Sequence, residues 1–267
     1  MDLVLLAVAA VWGGATGLLI PRAAYRFAVE PEEPWRTACP AGHAFTGPFG
    51  GWWGPARCTS CRSRAQAPAP YEADASVPYA DERPAPVPYA PGALAPLITV
   101  LACVALAAAT GARPELAGWL LLAPVAVLLA TVDRRVHRLP DPLTLPLAAA
   151  AVLLLGGAAL LPGHAGSWTS GLLGGLVLGG FYLLLFLINP NGMGFGDVKL
   201  ALALGIALGW YGWEVLFLGG FAGFLFGAAY GLGLVLLRRA GRKTGIPFGP
   251  FMIAGAFTGV LLGALTA

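Results

Sequence analysis

The stretch ELAGWLLLAPVAVLLATVDRRVHRLPDP (residues 115–142) decides how this chain is read. From Leu116 to Val132 it carries no charge; Asp133, Arg134, Arg135 and Arg138 then follow within a few residues. An amphipathic helix of a soluble domain keeps one polar face. This run has almost none, so hydrocarbon is its natural solvent on every side, and about 20 such residues cross a bilayer. The charged block at its end marks a membrane surface.

The pattern repeats along the chain. Eight stretches are apolar enough to span: Leu3–Ile20, Leu94–Ala112, Leu116–Val132, Leu143–Leu161, Ser170–Ile188, Val198–Trp210, Val215–Leu237 and Pro247–Ala267. The sixth is short enough to be re-entrant. Composition agrees, with 58% hydrophobic and only 11% charged residues, against roughly 25% charged in soluble domains. The expected fold is an all-α polytopic membrane protein of about eight transmembrane helices, with a small insert between the first and second. Asp2 stands where a cleavable signal would carry basic residues, and Arg22 and Arg26 follow the first run instead, so that run reads as an anchor with its N-terminus outside.

Basic residues are retained on the cytoplasmic side during insertion. With eight spans and that direction, cytoplasmic loops and their borders hold fifteen of the sixteen Lys and Arg residues, and only Arg113 falls outside. Removing one span would scatter them over both faces. The segments are then 1–20, a first helix; 21–93, a cytoplasmic loop; and 94–267, a seven-helix unit. Within the loop, 30–64 is cysteine-bearing, and 65–93 is proline-rich with almost no aliphatic content, an extended linker. The expected location is the inner (cytoplasmic) membrane. The lipid bilayer is one expected partner, and nucleic acid is not.

Several later spans carry glycines four apart, such as Gly171, Gly175 and Gly179, or Gly219, Gly223, Gly227 and Gly231. That spacing serves either tight helix packing or a groove for another membrane helix.

Beyond residue 93 the acidic residues are Glu115, Asp133, Asp141, Asp197 and Glu214. The topology puts Glu115 and Glu214 in external loops and the three aspartates together on the cytoplasmic side. Ionisable groups at membrane depth are costly and mark functional sites. Asp141, before Pro142, reads as a helix N-cap. Asp197 opens the sixth span behind Gly194-Phe195-Gly196, where capping and close backbone approach both apply. Asp133 ends the third span, where the helix dipole disfavours a carboxylate, so capping does not account for it. Two neighbouring carboxylates share a proton, one serving as general base toward water and the other as general acid. No H-E-x-x-H motif offers a zinc peptidase alternative, and Ser167 and Ser170 lack the elbow of a serine hydrolase. Ion or proton transport through the same aspartates is a second reading. A non-catalytic assembly protein is a third.

Gly194-Phe195-Gly196-Asp197-Val198-Lys199-Leu200 resembles the Gly-x-Gly-Asp signature of the type IV prepilin peptidase family. Asp133, followed by Leu139-Pro140-Asp141, resembles that family's other aspartate motif, and Ile246–Phe251 its last-span motif. The resemblance implies Asp133 and Asp197 as the catalytic pair, supported by Gly194, Gly196, Lys199 and Pro140. It also implies cleavage of a short basic leader from prepilin or pseudopilin precursors on the cytoplasmic face. Members of the bacterial family also methylate the new N-terminus with S-adenosylmethionine. Gly14-Ala15-Thr16-Gly17-Leu18 is loosely similar to the first-span motif, without its asparagine, and no residue is assigned to methyl transfer.

Cys39, His43, Cys58 and Cys61 lie in the loop placed in the reducing cytoplasm. Disulfides do not suit that compartment, leaving a Cys3His structural zinc site or unliganded thiols. The family's corresponding loop resembles paired Cys-x-x-Cys knuckles; here Gly42 stands where a second cysteine is expected, with His43 beside it. Cys103, within the second span, reads as a small apolar filler.

Overall fold

The computed structural model describes residues 2–30, 32–58, 60–61, 94–190, 192–237 and 246–267. The proline-rich segment 65–93 and the basic residues Arg238, Arg239, Arg242 and Lys243 lie outside them. The described residues form nine helices and one short left-handed turn, labelled α3: α1 (Leu3–Gly17), α2 (Ile20–Phe27), α3 (Pro48–Gly51), α4 (Leu94–Thr110), α5 (Glu115–Val136), α6 (Asp141–Ala159), α7 (Trp168–Ile188), α8 (Phe195–Trp210), α9 (Trp213–Leu236) and α10 (Gly249–Thr266). Each of the eight apolar stretches is helical.

Six helical segments, counting α1 and α2 as one of 25 residues, are long and apolar enough to cross a membrane. The chain is a multi-pass membrane protein. The other two apolar helices are shorter than that: α4 has 17 residues and α8 has 16. Short as it is, α8 is not re-entrant. It starts beside the end of α5 that bears Asp133 and finishes at Trp210, whose carbonyl accepts the Ser167 N–H at 2.9 Å at the opposite end of the bundle. It packs against α6, α7, α9 and α10 and buries most of its length. A helix enclosed by longer neighbours has no hydrocarbon to match at its own ends.

Glycine stripes make that enclosure possible. A Cβ on Gly174 would lie 2.6 Å from the Gly205 carbonyl, and one on Gly255 2.6 Å from that of Gly219. The α7–α8 and α9–α10 pairs are therefore in backbone contact, where dispersion replaces the missing hydrophobic drive of lipid. The four-residue stripes serve packing rather than a groove. The same holds in α1, where a Cβ on Gly17 would stand 2.6 Å from Cα of Pro96 in α4.

At the end of the bundle away from Asp133, Glu115 opens α5 rather than lying in a loop. It is 0% exposed. Its Oε1 accepts the Ala165 N–H at 3.3 Å and lies 3.9 Å from Arg113, while Arg113 also donates to the Ala264 carbonyl. The 163–167 loop folds over it, a tertiary event that local sequence does not announce.

Candidate functional site

Asp133 lies in the last turn of α5 and is 4% exposed. The helix closes with His137 in the left-handed region (φ 50°), its N–H donating to the Asp133 carbonyl at 2.8 Å. The dipole of α5 opposes a negative charge there. The N-terminus of α10 answers it: the Gly249 N–H donates to Asp133 Oδ2 at 3.0 Å. A helix N-terminus stabilises a partly buried carboxylate by up to about 2 kcal/mol. A Cβ at Gly249 would stand 2.8 Å from the same oxygen, so any side chain there requires the carboxylate to shift.

Asp197 occupies the first turn of α8 and is 8% exposed. Its Oδ2 accepts the Gly194 N–H at 3.2 Å, a carboxylate reaching back to the N-cap backbone. Capping is thus part of its role. Oδ1 of each aspartate accepts no hydrogen bond from the described residues, which leaves one oxygen of each for water or substrate.

Leu139 joins the two. A Cβ on Gly196 would lie 2.8 Å from Leu139 Cβ, and one on Gly249 3.4 Å from Leu139 Cδ2. The N-termini of α8 and α10 therefore press on the same side chain, six residues after Asp133. Asp133 and Asp197 are thus brought to the same end of the bundle around Leu139. Two buried carboxylates in this relation can hold one proton between them and divide acid and base roles toward a single water.

The supporting residues separate under this geometry. Gly196 has no room for a side chain. At Gly194 a Cβ would make ordinary contact, 3.6 Å from Asp197 Oδ2. Pro140 is the N-cap of α6 and its carbonyl accepts the Leu143 and Thr144 N–H groups. Asp141 is the first residue inside that helix, not its cap, and makes no capping bond. It pairs with Lys199 at 2.6 Å, so Lys199 is turned to Asp141 and the Phe195 ring. Sequence reading missed Gly249 as a partner of Asp133. It also missed Tyr182 of α7, which is buried and stacked on Phe224 at 5.5 Å; no local signal marks a lone tyrosine in an apolar run.

The insert packs on α2 and on the end of α5. Arg138 donates to the Glu30 carbonyl at 3.1 Å. Arg22 and Arg26, read as orientation signals, are buried, donating to the Trp53 and Gly50 carbonyls. Cys39, His43, Cys58 and Cys61 gather so that one ligand atom from each lies within 4.8 Å of the others. Cys39 Sγ is 3.8 Å from Cys61 Sγ and 3.7 Å from His43 Nδ1. Tetrahedral zinc with Zn–S of about 2.3 Å requires S···S edges of about 3.8 Å, so the donor set fits. Gly42 takes φ 80° in the turn between Cys39 and His43, which suits glycine and carries His43 Nδ1 back toward the thiols. Burial and the neighbouring Cys39 and Cys58 thiols push Cys61 up to about 11. Cys58 is held below its ordinary value: burial opposes this, but hydrogen bonds from Cys61 and the Ser60 backbone prevail. Cys103 is fully buried between helices, as expected of an apolar filler.

Comparison with known proteins meets this geometry directly. Residues 120–232 match the type IV leader peptidase family. Both aspartates fall inside the match; Gly249 and the cysteine cluster fall outside it. The "Prepilin leader peptidase/N-methyltransferase" of Aeromonas salmonicida (strain A449) is 39% identical over 155 residues, covering 55% of this chain and 51% of that protein. The protein of the same name from Aeromonas hydrophila is 38% identical over 174 residues, covering 64% and 58%. The one from Bacillus subtilis (strain 168) is 35% identical over 97 residues, covering 36% and 38%. The chain spans about half the length of the two Aeromonas relatives. No solved structure matches it.

Proposed function

We propose that this protein is a membrane aspartic endopeptidase that removes the basic leader of type IV prepilin-like precursors. Asp133 and Asp197 are its catalytic pair. The observation that carries the reading is the meeting of two buried aspartates from distant helices, each held through Oδ2 by a backbone N–H. One carboxylate takes a proton from water as the water attacks the scissile carbonyl. The other, protonated, donates to the carbonyl oxygen; when the tetrahedral intermediate collapses it takes that proton back, and the first gives the proton it took from water to the leaving amine. The residue match to the leader peptidase family and the names of the relatives support peptide cleavage over ion transport.

The charge count along the chain supports an inner-membrane protein with its N-terminus outside and the aspartates facing the cytoplasm. It also supports residues 94–267 as the peptidase unit, with 1–20 and 21–93 as first helix and insert. Zinc held by Cys39, His43, Cys58 and Cys61 would fix the fold of the insert. An apolar cavity of about 660 Å³ lies between α4, α5, α8 and α10. Its lining includes Arg134 and Pro250, the neighbours of Asp133 and Gly249, and continues through Ala130, Ala126, Ala123 and Trp119. It offers room for the apolar segment that follows the scissile bond. The names of the relatives also support methylation of the new N-terminus with S-adenosylmethionine; Gly17 of the first-span stretch packs on α4, and no residue is assigned to that step.

The test is reconstitution in proteoliposomes with a precursor carrying a basic leader before an apolar helix. A single cut at that boundary, read by mass spectrometry, is expected. An intact precursor together with ion flux would overturn the reading in favour of transport.

A further inference from the structure

The insert carries an aromatic pair that the peptidase reading does not use. Phe49 and Trp53 lie with ring centroids 4.7 Å apart and are 69% and 53% exposed. They flank a turn in which Phe49, Gly50 and Gly51 all have positive φ. A bulky side chain in that region is costly, yet here it presents the Phe49 ring outward. Two arginines clamp the turn to α2: Arg22 Nη1 donates to the Trp53 carbonyl at 3.0 Å and Arg26 Nη1 to the Gly50 carbonyl at 3.1 Å.

The clamp sets the height of the turn. The α1–α2 segment begins at Leu3 and turns at Leu18–Leu19, so at 1.5 Å per residue Arg22 lies at most about 29 Å further on. The hydrocarbon layer is about 30 Å thick. With Leu3 at one boundary, Arg22 and the carbonyl of Trp53 come to the other, the depth at which tryptophan collects. Near the turn the charged residue is Arg57, with Glu30, Glu32 and Glu33 further back in the sequence, and a basic residue beside the turn suits a leaflet with anionic lipid.

We propose that Phe49 and Trp53 form a foot that the insert sets into the headgroup layer beside α2. The occupant of this surface is phospholipid, and its contact fixes the insert over the Asp133 end of the bundle. The proposal rests on the membrane topology and not on the peptidase activity.

Photo-crosslinking in the full chain tests it. The p-benzoylphenylalanine side chain replaces Phe49, Trp53 or, as a control, exposed Ala41 in the Cys39–His43 turn. The protein is reconstituted in vesicles of zwitterionic and anionic phospholipid and irradiated in the presence of precursor. Phospholipid adducts at 49 and 53, several-fold above those at 41, are expected. Adduct yields at 49 and 53 no higher than at 41 would overturn the proposal, as would crosslinks there to precursor or to a second chain in place of lipid.

Discussion

Replacing Gly249 by alanine adds one methyl group at the most constrained contact of the site. That carbon would stand 2.8 Å from Asp133 Oδ2 and 3.3 Å from its Cγ, with Leu139 Cδ2 at 3.4 Å behind it. Neither neighbour can yield freely, because Asp133 is buried and Leu139 is also pressed by Gly196. The carboxylate must turn away, and the 3.0 Å bond from the Gly249 N–H is lost. A hydrogen bond to a charged group is worth about 1.5–3 kcal/mol, which corresponds to about a 10- to 150-fold fall in kcat/KM. The assay is precursor cleavage in proteoliposomes. Gly180→Ala, a position with nothing within 4 Å of its Cβ, is the matched control at wild-type rate. Wild-type kcat/KM for Gly249→Ala would refute the reasoning, since the methyl group has no other place to go.

The two glycines of the Gly-x-Gly-Asp stretch should behave differently: Gly196→Ala, against Leu139, loses most cleavage, while Gly194→Ala stays within about 5-fold of wild type in the same assay. Glu115→Ala leaves Arg113 and the Ala165 N–H without their partner, and thermal unfolding in detergent should show a loss of about 1–3 kcal/mol with cleavage per folded molecule unchanged. Lys199→Ala breaks a pair whose acidic partner is mostly exposed, so stability should fall by less than about 1 kcal/mol. Metal analysis of the purified chain should give one zinc, lost on Cys39→Ser or Cys61→Ser. Because thiols must lose protons to bind, zinc affinity should fall as pH is lowered, as read by competition with a chelating dye.

Periodicity and charge are local properties, and they made much of this molecule legible. Eight apolar runs became helices because each is uniformly apolar over a helical length. The Cys39, His43, Cys58 and Cys61 set was legible because sulfur and imidazole at knuckle spacing have few other uses. What escaped depended on pairs distant in sequence. Gly249 is 116 residues from Asp133, and only the fold reveals that one helix start caps another helix end. Glu115 was placed in a loop by the topology, and its burial was hidden because the loop that meets it lies 50 residues away. Arg22 and Arg26 carry the same charge whether they face lipid headgroups or bind carbonyls of the insert, so a charge count could not separate these roles. The glycine stripes were ambiguous for a related reason: a missing side chain records close approach but not what approaches.

Asparagine keeps the size of aspartate and removes its charge and its exchangeable acid proton. Precursor processing by Asp133→Asn and by Asp197→Asn, each in folded, reconstituted protein, reports on the pair most directly. Both variants should leave the precursor uncut at substrate and enzyme levels where the parent chain completes the reaction. Full processing by either one would contradict a shared-proton mechanism at these two residues.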